Sequence, residues 1–153
     1  MNVYLAARYS RRLELCGYRS QLQDMGHVVP AVWLDGEHQI SDVGTPIGET
    51  GEALVEGNEG QAAKLREKFA CDDLRDVLAC DLLIAFTEEP RSQAGRGRGG
   101  RHVEMGIAIG TSKPVWIVGP RENIFHWLRN VRQFDTWAEC WAELQVMAEK
   151  EAA

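Results

Sequence analysis

The side chain best placed to do chemistry in this chain is Glu104, in the stretch GGRHVEMGIA of residues 99–108. An apolar run at residues 82–86 precedes it and suits a buried strand, and residues 103–109 have the amphipathic pattern of a helix. Glu104 then lies in the first turn of a crossover helix, just beyond the carboxyl end of a parallel strand. Open α/β sheets bind ligands at this edge, and the helix dipole favours a carboxylate there. A helix-capping glutamate on a solvated turn fits the same pattern, so both interpretations stay open.

Three arginines, Arg8, Arg11 and Arg12, surround the start of an earlier predicted helix. Cations at a helix start oppose its dipole, so an anionic ligand is one reason for their presence and a solvated surface is the other. Ser10 is the predicted N-cap of this helix, and Gly26 is predicted to end it.

Three aspartates, Asp72, Asp73 and Asp76, lie near the end of a long helix predicted over residues 61–78. Adjacent residues on a helix point about 100° apart, so only one of Asp72 and Asp73 is expected to face a site at the sheet edge. For Asp72 and Asp76 the expectation is a solvated acidic turn.

Apolar runs and helical patterns alternate along the chain and supply the scaffold for these side chains. Strand, helix, strand units of this kind have parallel strands and right-handed connections. We therefore predict an α/β fold, flavodoxin-like or Rossmann-like, with a parallel sheet of four to five strands and helices on both faces. The predicted strands are residues 2–7, 27–34, 82–86, 115–118 and a short piece that ends at Phe134.

Residues 35–60 separate the second predicted strand from the long helix and contain six glycines, several acids and little hydrophobic periodicity. Loops of this length in compact domains are usually functional lids or disordered, so we predict a mobile lid. The whole chain, residues 1–153, is predicted to form a single domain, because its length suffices to bury a core.

The composition restricts the class of protein. Hydrophobic residues make up 44% of the chain and charged residues 26%, as in soluble globular proteins. The net charge of -6 argues against a surface that coats nucleic acid, and no apolar run approaches the roughly 20 residues of a membrane span. The first strand begins at the N-terminus without a signal peptide, and the four cysteines show no CxxC spacing, so the cytoplasm is the predicted location. No cofactor and no metal are predicted, since His126 has no second histidine or cysteine at metal spacing.

Four short motifs occur in the order found in the nucleoside 2-deoxyribosyltransferase superfamily, which includes deoxynucleoside 5'-monophosphate N-glycosidases. They are the first strand VYLAA at residues 3–7, DL at 73–74 followed by ACDLLIA at 79–85, EMGIA at 104–108, and KP at 113–114. Each motif is weak alone, but together they extend over nearly the whole chain. The sequence therefore resembles this superfamily.

The resemblance implies a function and three catalytic residues. Glu104 matches the nucleophile that attacks the anomeric carbon, Asp73 the acid that helps to bind the sugar and the leaving base, and Tyr4 the tyrosine that orients the nucleophile. A close carboxylate stabilises an oxocarbenium-like transition state, and a covalent intermediate divides one difficult step into two. The implied reaction cleaves the N-glycosidic bond of a nucleoside or its 5'-monophosphate, by hydrolysis or by transfer to another base. A non-catalytic nucleotide-binding module is the alternative.

The resemblance also implies a set of substrate-binding residues. Arg98 stands six residues before Glu104, where the transferases place an aspartate that holds the base. Because arginine suits phosphate through paired donors, this favours a nucleoside monophosphate as substrate. The other residues implied to bind substrate are Ala6, Arg8, Tyr9, Ser10, Gly100, Arg101, His102 and Asn123.

Five tryptophans, several of them near residues 125–141, favour a homodimer or a larger homo-oligomer with an aromatic interface. The family often builds its sites between subunits. Asn123 or His126 is then in a position to reach the pocket of a neighbouring subunit.

Overall fold

The protein is described by a computed structural model that covers residues 1–41, 43–89 and 99–152, with the side chains described up to residue 150. Its main elements follow one another as β1 (Val3–Ala6), α1 (Arg12–Asp24), β2 (Gln39–Ile40), β3 (Pro46–Ile47), α2 (Glu59–Ala79), β4 (Leu82–Phe86), α3 (Gly100–Gly110), β5 (Val115–Val118), β6 (Val131–Phe134) and α4 (Trp137–Ala152).

Four parallel strands in the order β1-β4-β5-β6 form the central sheet. The residues of β1, β4 and β5 are all buried, as expected for apolar runs covered on both faces. An isolated parallel bridge between Asn2 and Val28 extends the sheet beside β1. With this bridge the segments lie in the order second, first, third, fourth, fifth, which is flavodoxin-like. The predicted parallel α/β fold is confirmed.

Helices cover both faces of this sheet. On one face α2 packs against α3. On the other, α1 and α4 are joined where Trp137 Nε1 donates to Gln21 Oε1 at 2.8 Å. The ring of Tyr18 in α1 stacks both on Trp137 and on Phe86 at the end of β4. No helix among the described residues has the length and apolar character that crossing a membrane requires.

The prediction of a strand over residues 27–34 is wrong. Only the bridge at Val28 remains, and residues Val32–Asp35 form a 3-10 helix. Pro30 has no N–H for a sheet, and other partners replace the ladder: the N–H of Val32 donates to Asp76, and Trp33 Nε1 donates to the carbonyl of Leu5. Val29, Ala31, Trp33 and Leu34 of this run are buried, whereas Val28 is exposed.

The start of α1 also differs from its prediction. A 3-10 helix, Tyr9–Arg11, precedes α1, and no side-chain hydrogen bond caps either helix, so Ser10 is not an N-cap. Gly26 follows the helix with φ +84°, a left-handed conformation that favours glycine, and this predicted end is confirmed.

The segment of residues 35–60 is more ordered than an irregular loop. Strands β2 and β3 pair antiparallel within it, and Asn58 caps α2 by accepting from the N–H of Gln61 at 3.0 Å. Arg66 of α2 donates to the carbonyl of Gly44 at 2.9 Å, and Arg12 of α1 pairs with Glu49. These contacts fasten the segment to two helices, and its mobility stays a prediction.

Candidate active site

The predicted nucleophile and the tyrosine predicted to orient it lie in direct contact. Tyr4, fully buried in β1, donates a hydrogen bond of 2.8 Å from its hydroxyl to Oε1 of Glu104. Burial, followed by the charges of Glu104 and Asp73, raises the pKa of Tyr4 well above its usual value. The hydroxyl therefore stays protonated and serves as a donor to the carboxylate.

Glu104 lies one turn further into its helix than the sequence predicted. Helix α3 begins at Gly100 rather than at residue 103, so Glu104 falls in the second turn. The helix dipole acts mainly within the first turn, and it therefore contributes little to this carboxylate. Burial and the charge of Asp73 raise the pKa of Glu104 to about 7, against the lowering effects of Tyr4 and Arg101.

Asp73 belongs to α2, and its charge acts on both Glu104 and Tyr4. Burial, with further contributions from Asp76 and Asp72, raises its pKa to about 6, although His38 acts in the opposite direction. Its Oδ1 is buried and has no hydrogen-bond partner among the described residues. Asp73 is among the groups that raise the pKa of Glu104. Both carboxyl groups therefore titrate nearer to neutral pH than free carboxyl groups do, as is common for acids and bases in active sites.

The two neighbouring aspartates are not the solvated acidic turn that the sequence predicted. Asp76 is buried and accepts from the N–H of Val32 at 3.0 Å. Asp72 pairs with Lys68 at 2.8 Å and with His38 at 3.3 Å. Both hold the segment after residue 30 against α2, which leaves Asp73 as the aspartate with an unpartnered oxygen.

The predicted phosphate-binding arginines are already paired. Arg8 lies 3.1 Å from Glu88, and Arg11 lies 2.7 Å from Glu14. Arg101 is buried and bonded within the protein, and its role in binding substrate stays a prediction. Arg98 lies outside the described residues.

The other predicted binding residues divide between two places. Ala6 ends β1, and Tyr9 and the exposed Ser10 belong to the 3-10 helix that follows it. Gly100 begins α3. His102 and Asn123 lie together, with 3.5 Å between Nδ1 and Nδ2.

Glu122 and His126 complete a cluster that the spacing of residues along the chain concealed. Ligand atoms of His102, Glu122 and His126 lie within 4.8 Å of one another, contrary to the prediction that no second histidine accompanies His126. These three side chains are nevertheless poorly suited to binding a metal cation. Glu122 is bonded to Arg101, and Nδ1 of the buried His126 accepts from the N–H of Glu122 at 3.1 Å. Burial, His102 and the positive charges of Arg101 and Arg121 lower the pKa of His126, against the effect of Glu122.

A cavity of about 560 Å³ lies between α2 and the segment of residues 32–54. Its volume is within the range of small-molecule sites. Phe69 stands one helical turn before Asp73 and therefore on the same face of α2. The lining residues are Val32, Asp35, Gly36, Glu37, His38, Glu49, Leu54, Leu65, Lys68 and Phe69.

The solved structures that share this fold include the two that follow, whereas no protein-family model and no curated protein sequence matches the chain. A 2-deoxyribosyltransferase from the psychrotolerant bacterium Bacillus psychrosaccharolyticus superposes with a TM-score of 0.61 at 16% identity, over 92% of this chain and 90% of its own. The CMP N-glycosidase BcmB of Clostridium botulinum superposes with a TM-score of 0.52 at 21% identity, over 95% of this chain and 99% of its own. Both lie in the nucleoside 2-deoxyribosyltransferase superfamily. At these identities the likeness establishes the fold, and at that level the resemblance seen in the sequence motifs is confirmed.

Proposed function

We propose that this protein cleaves the N-glycosidic bond of a nucleoside or deoxynucleoside, or of the corresponding 5'-monophosphate, with Glu104 as the nucleophile. The observation that carries the proposal is the hydrogen bond of 2.8 Å from the buried Tyr4 to Glu104. The charge of Asp73 acts on the same carboxylate, and Asp73 has a buried oxygen without a hydrogen-bond partner among the described residues. The names of the two structural neighbours, a 2-deoxyribosyltransferase and a CMP N-glycosidase, favour the same reaction class.

In the first step an ionised Glu104 oxygen attacks the anomeric carbon of the sugar. The bond from that carbon to the base nitrogen breaks, its electron pair leaves with the base, and an ester joins the sugar to Glu104. Asp73, whose pKa lies near 6, supplies a proton to the departing base. Tyr4 holds the carboxylate in the orientation for attack and donates to it while it is charged.

In the second step an acceptor attacks the anomeric carbon and releases Glu104. Water gives free sugar or sugar phosphate, and a second base gives a new nucleoside. Asp73, now ionised, accepts the proton that the acceptor loses, as microscopic reversibility requires. The pairing of Arg8, Arg11 and Arg101 within the protein removes three cations from the argument for a phosphorylated substrate, so phosphorylated and free nucleosides both remain candidates.

The test is incubation of the wild type and Glu104→Gln with a panel of nucleosides and their 5'-monophosphates, with and without a second base. Chromatography measures the released and the exchanged base. We expect turnover by the wild type and none by Glu104→Gln, because glutamine offers no nucleophilic carboxylate. Asp73→Asn should slow base release strongly without abolishing it, since Glu104 remains.

The matched control is Glu143→Gln, an acid-to-amide change at an outer glutamate that pairs with Arg132 at 2.8 Å. This variant should retain wild-type turnover. If the wild type binds nucleotides without releasing base, and Glu104→Gln binds them equally well, the protein is a nucleotide-binding module and the proposal is wrong.

A further inference from the structure

We propose that Glu122 is a positioning residue for Glu104, which it holds in place through the buried side chain of Arg101. Its effect on turnover rests on the function proposed above, whereas its effect on the geometry and charge of Glu104 does not.

Glu122 joins three segments of the chain at one carboxylate. Nη2 of Arg101 donates to Oε1 at 2.8 Å and to Oε2 at 2.6 Å, and the N–H of Glu88 donates to Oε1 at 3.0 Å. Nη1 of Arg101 donates to the carbonyl of Phe86 at 2.8 Å. The side chain of Arg101 is only 7% exposed. The end of β4, the first turn of α3 and the segment after β5 are therefore fastened to one another by this ion pair.

The two glycines at the start of α3 make no packing contact with the described residues. Gly99 has φ +77°, and a Cβ added at Gly99 or Gly100 would meet no atom within 4 Å. Two residues without side chains, in open surroundings, cannot fix a helix start by packing. The ion pair of Arg101 with Glu122 supplies the contact that these glycines do not.

Arg101 lies three residues before Glu104, so the two side chains project from neighbouring positions on α3. A shift in this first turn would move Glu104 relative to the hydroxyl of Tyr4, which belongs to the rigid sheet. Because displacement by about 1 Å can lower the rate of an enzymatic reaction by a factor on the order of 100, this ion pair bears directly on the nucleophile.

The same ion pair modulates the charge that Glu104 experiences. The titratable groups that act on Glu104 are Tyr4 from β1, Asp73 from α2 and Arg101 from α3, and the cation of Arg101 lowers its pKa. The negative charge of Glu122 offsets part of the effect that the positive charge of Arg101 has on Glu104. Its remaining ionisable neighbours are His102, at 3.6 Å, and His126. Loss of the Glu122 charge should therefore lower the pKa of Glu104, and loss of Arg101 should raise it.

The experiment compares Glu122→Gln, which preserves the shape of the side chain, with Arg101→Met and with the control Glu143→Gln. NMR titration of the glutamate side-chain carboxyl carbons gives the pKa of Glu104, whose signal is assigned by its disappearance in Glu104→Gln. We expect a lower pKa in Glu122→Gln, a higher one in Arg101→Met and no change in Glu143→Gln. The opposite signs test the electrostatic link from Glu122 through Arg101 to Glu104, and the position of Glu104 is tested by kcat.

Steady-state kinetics supply the second measurement. We expect kcat of Glu122→Gln to fall by a factor on the order of 10, with KM within about twofold of the wild type, since misplacement of the nucleophile affects the chemical step. If Arg101→Met does not fold, the sign of the shift in Glu122→Gln decides the matter. An unchanged pKa of Glu104 in Glu122→Gln, with unchanged kcat, overturns the inference. If the variants show the predicted shifts while the wild type releases no base, the proposed function fails while the link from Glu122 to Glu104 stands.

Discussion

The hydroxyl of Tyr4 and the carboxylate of Glu104 are 100 residues apart in sequence and 2.8 Å apart in space. One belongs to the first strand of the parallel sheet and the other to a crossover helix that packs on that strand. Both side chains are held by regular structure, so the fold itself sets their contact. The site is therefore organised before a substrate arrives, which reduces the reorganisation required during reaction.

Tyr4→Phe should lower kcat/KM by about 10- to 100-fold, because a hydrogen bond to a charged group contributes about 1.5–3 kcal/mol. Loss of the donor should also raise the pKa of Glu104 further above its usual value, so the acid limb of the pH–rate profile should move to higher pH. Tyr18→Phe is the matched control, since Tyr18 also donates to a glutamate, Glu14, at 2.9 Å but in an exposed position. A wild-type rate and profile in Tyr4→Phe would show that the contact has no role in the reaction.

The parts of the fold that local patterns define could be predicted from the sequence. The runs at residues 82–86 and 115–118 are apolar, short and bounded by polar residues, and they form β4 and β5 with exactly those limits. Residues 27–34 have the same apolar character but contain Pro30. There, hydrogen bonds donated by Val32 and Trp33 to the distant residues Asp76 and Leu5 stabilise a 3-10 helix that no local pattern specifies.

The candidate site also contains features that the sequence predicts and features that it does not. The positions of Glu104, Asp73 and Tyr4 at one sheet edge follow from the order of strands and helices. The partner of Arg101 does not, because Glu122 lies 21 residues further along and has no distinguishing neighbours. An arginine in an apolar, glycine-rich stretch implies an acidic partner if it becomes buried, yet Glu88, Glu89 and Glu122 all fit that description in the sequence.

Residues 35–60 should exchange their amide hydrogens faster than the central sheet and should gain protection when nucleotide binds. The reason is that this segment lies outside the central sheet and that the contacts that fasten it to the helices include partly exposed ones, among them the bond from Arg66 to Gly44 and the ion pair of Arg12 with Glu49. Hydrogen exchange of Glu104→Gln, with and without nucleotide, measures this while avoiding turnover. If these amide hydrogens exchange at the same rate with and without nucleotide, the segment is a connecting loop and not a lid.

A homodimer or larger homo-oligomer remains our expectation, on narrower grounds than five tryptophans. Trp33 and Trp116 are buried in the core. The exposed aromatic surface is instead in the 3-10 helix Ile124–Trp127, where Phe125 is 61% and Trp127 is 71% exposed. Light scattering at micromolar concentration should give at least twice the mass of the chain. Phe125→Asp should reduce that mass and Val43→Asp, at another exposed position, should not, whereas a wild-type monomer would contradict the expectation.

Stability should fall as the pH rises from about 5 to about 8, to the extent that Glu104 determines it. In the folded protein its pKa is raised from 4.5 to about 7, so the folded state binds a proton more tightly than the unfolded chain does. This contribution is fully present below the unfolded pKa and is lost as the pH rises through about 7. Asp73, raised from 3.8 to about 6, acts in the same direction.

Chemical denaturation of the wild type and Glu104→Gln at both pH values isolates this contribution, since glutamine does not titrate. We expect the free energy of unfolding of the wild type, relative to the variant, to decrease by an amount on the order of 2 kcal/mol over this range. Glu143→Gln removes an exposed glutamate whose pKa is lowered from 4.5, chiefly by its hydrogen bond with Arg132. The contribution of Glu143 is lost only as the pH falls below this range, so the difference between the wild type and Glu143→Gln should change little from pH 5 to pH 8. If the wild type and Glu104→Gln change in parallel with pH, Glu104 is not the buried, proton-binding carboxylate that the contact with Tyr4 and the charge of Asp73 require.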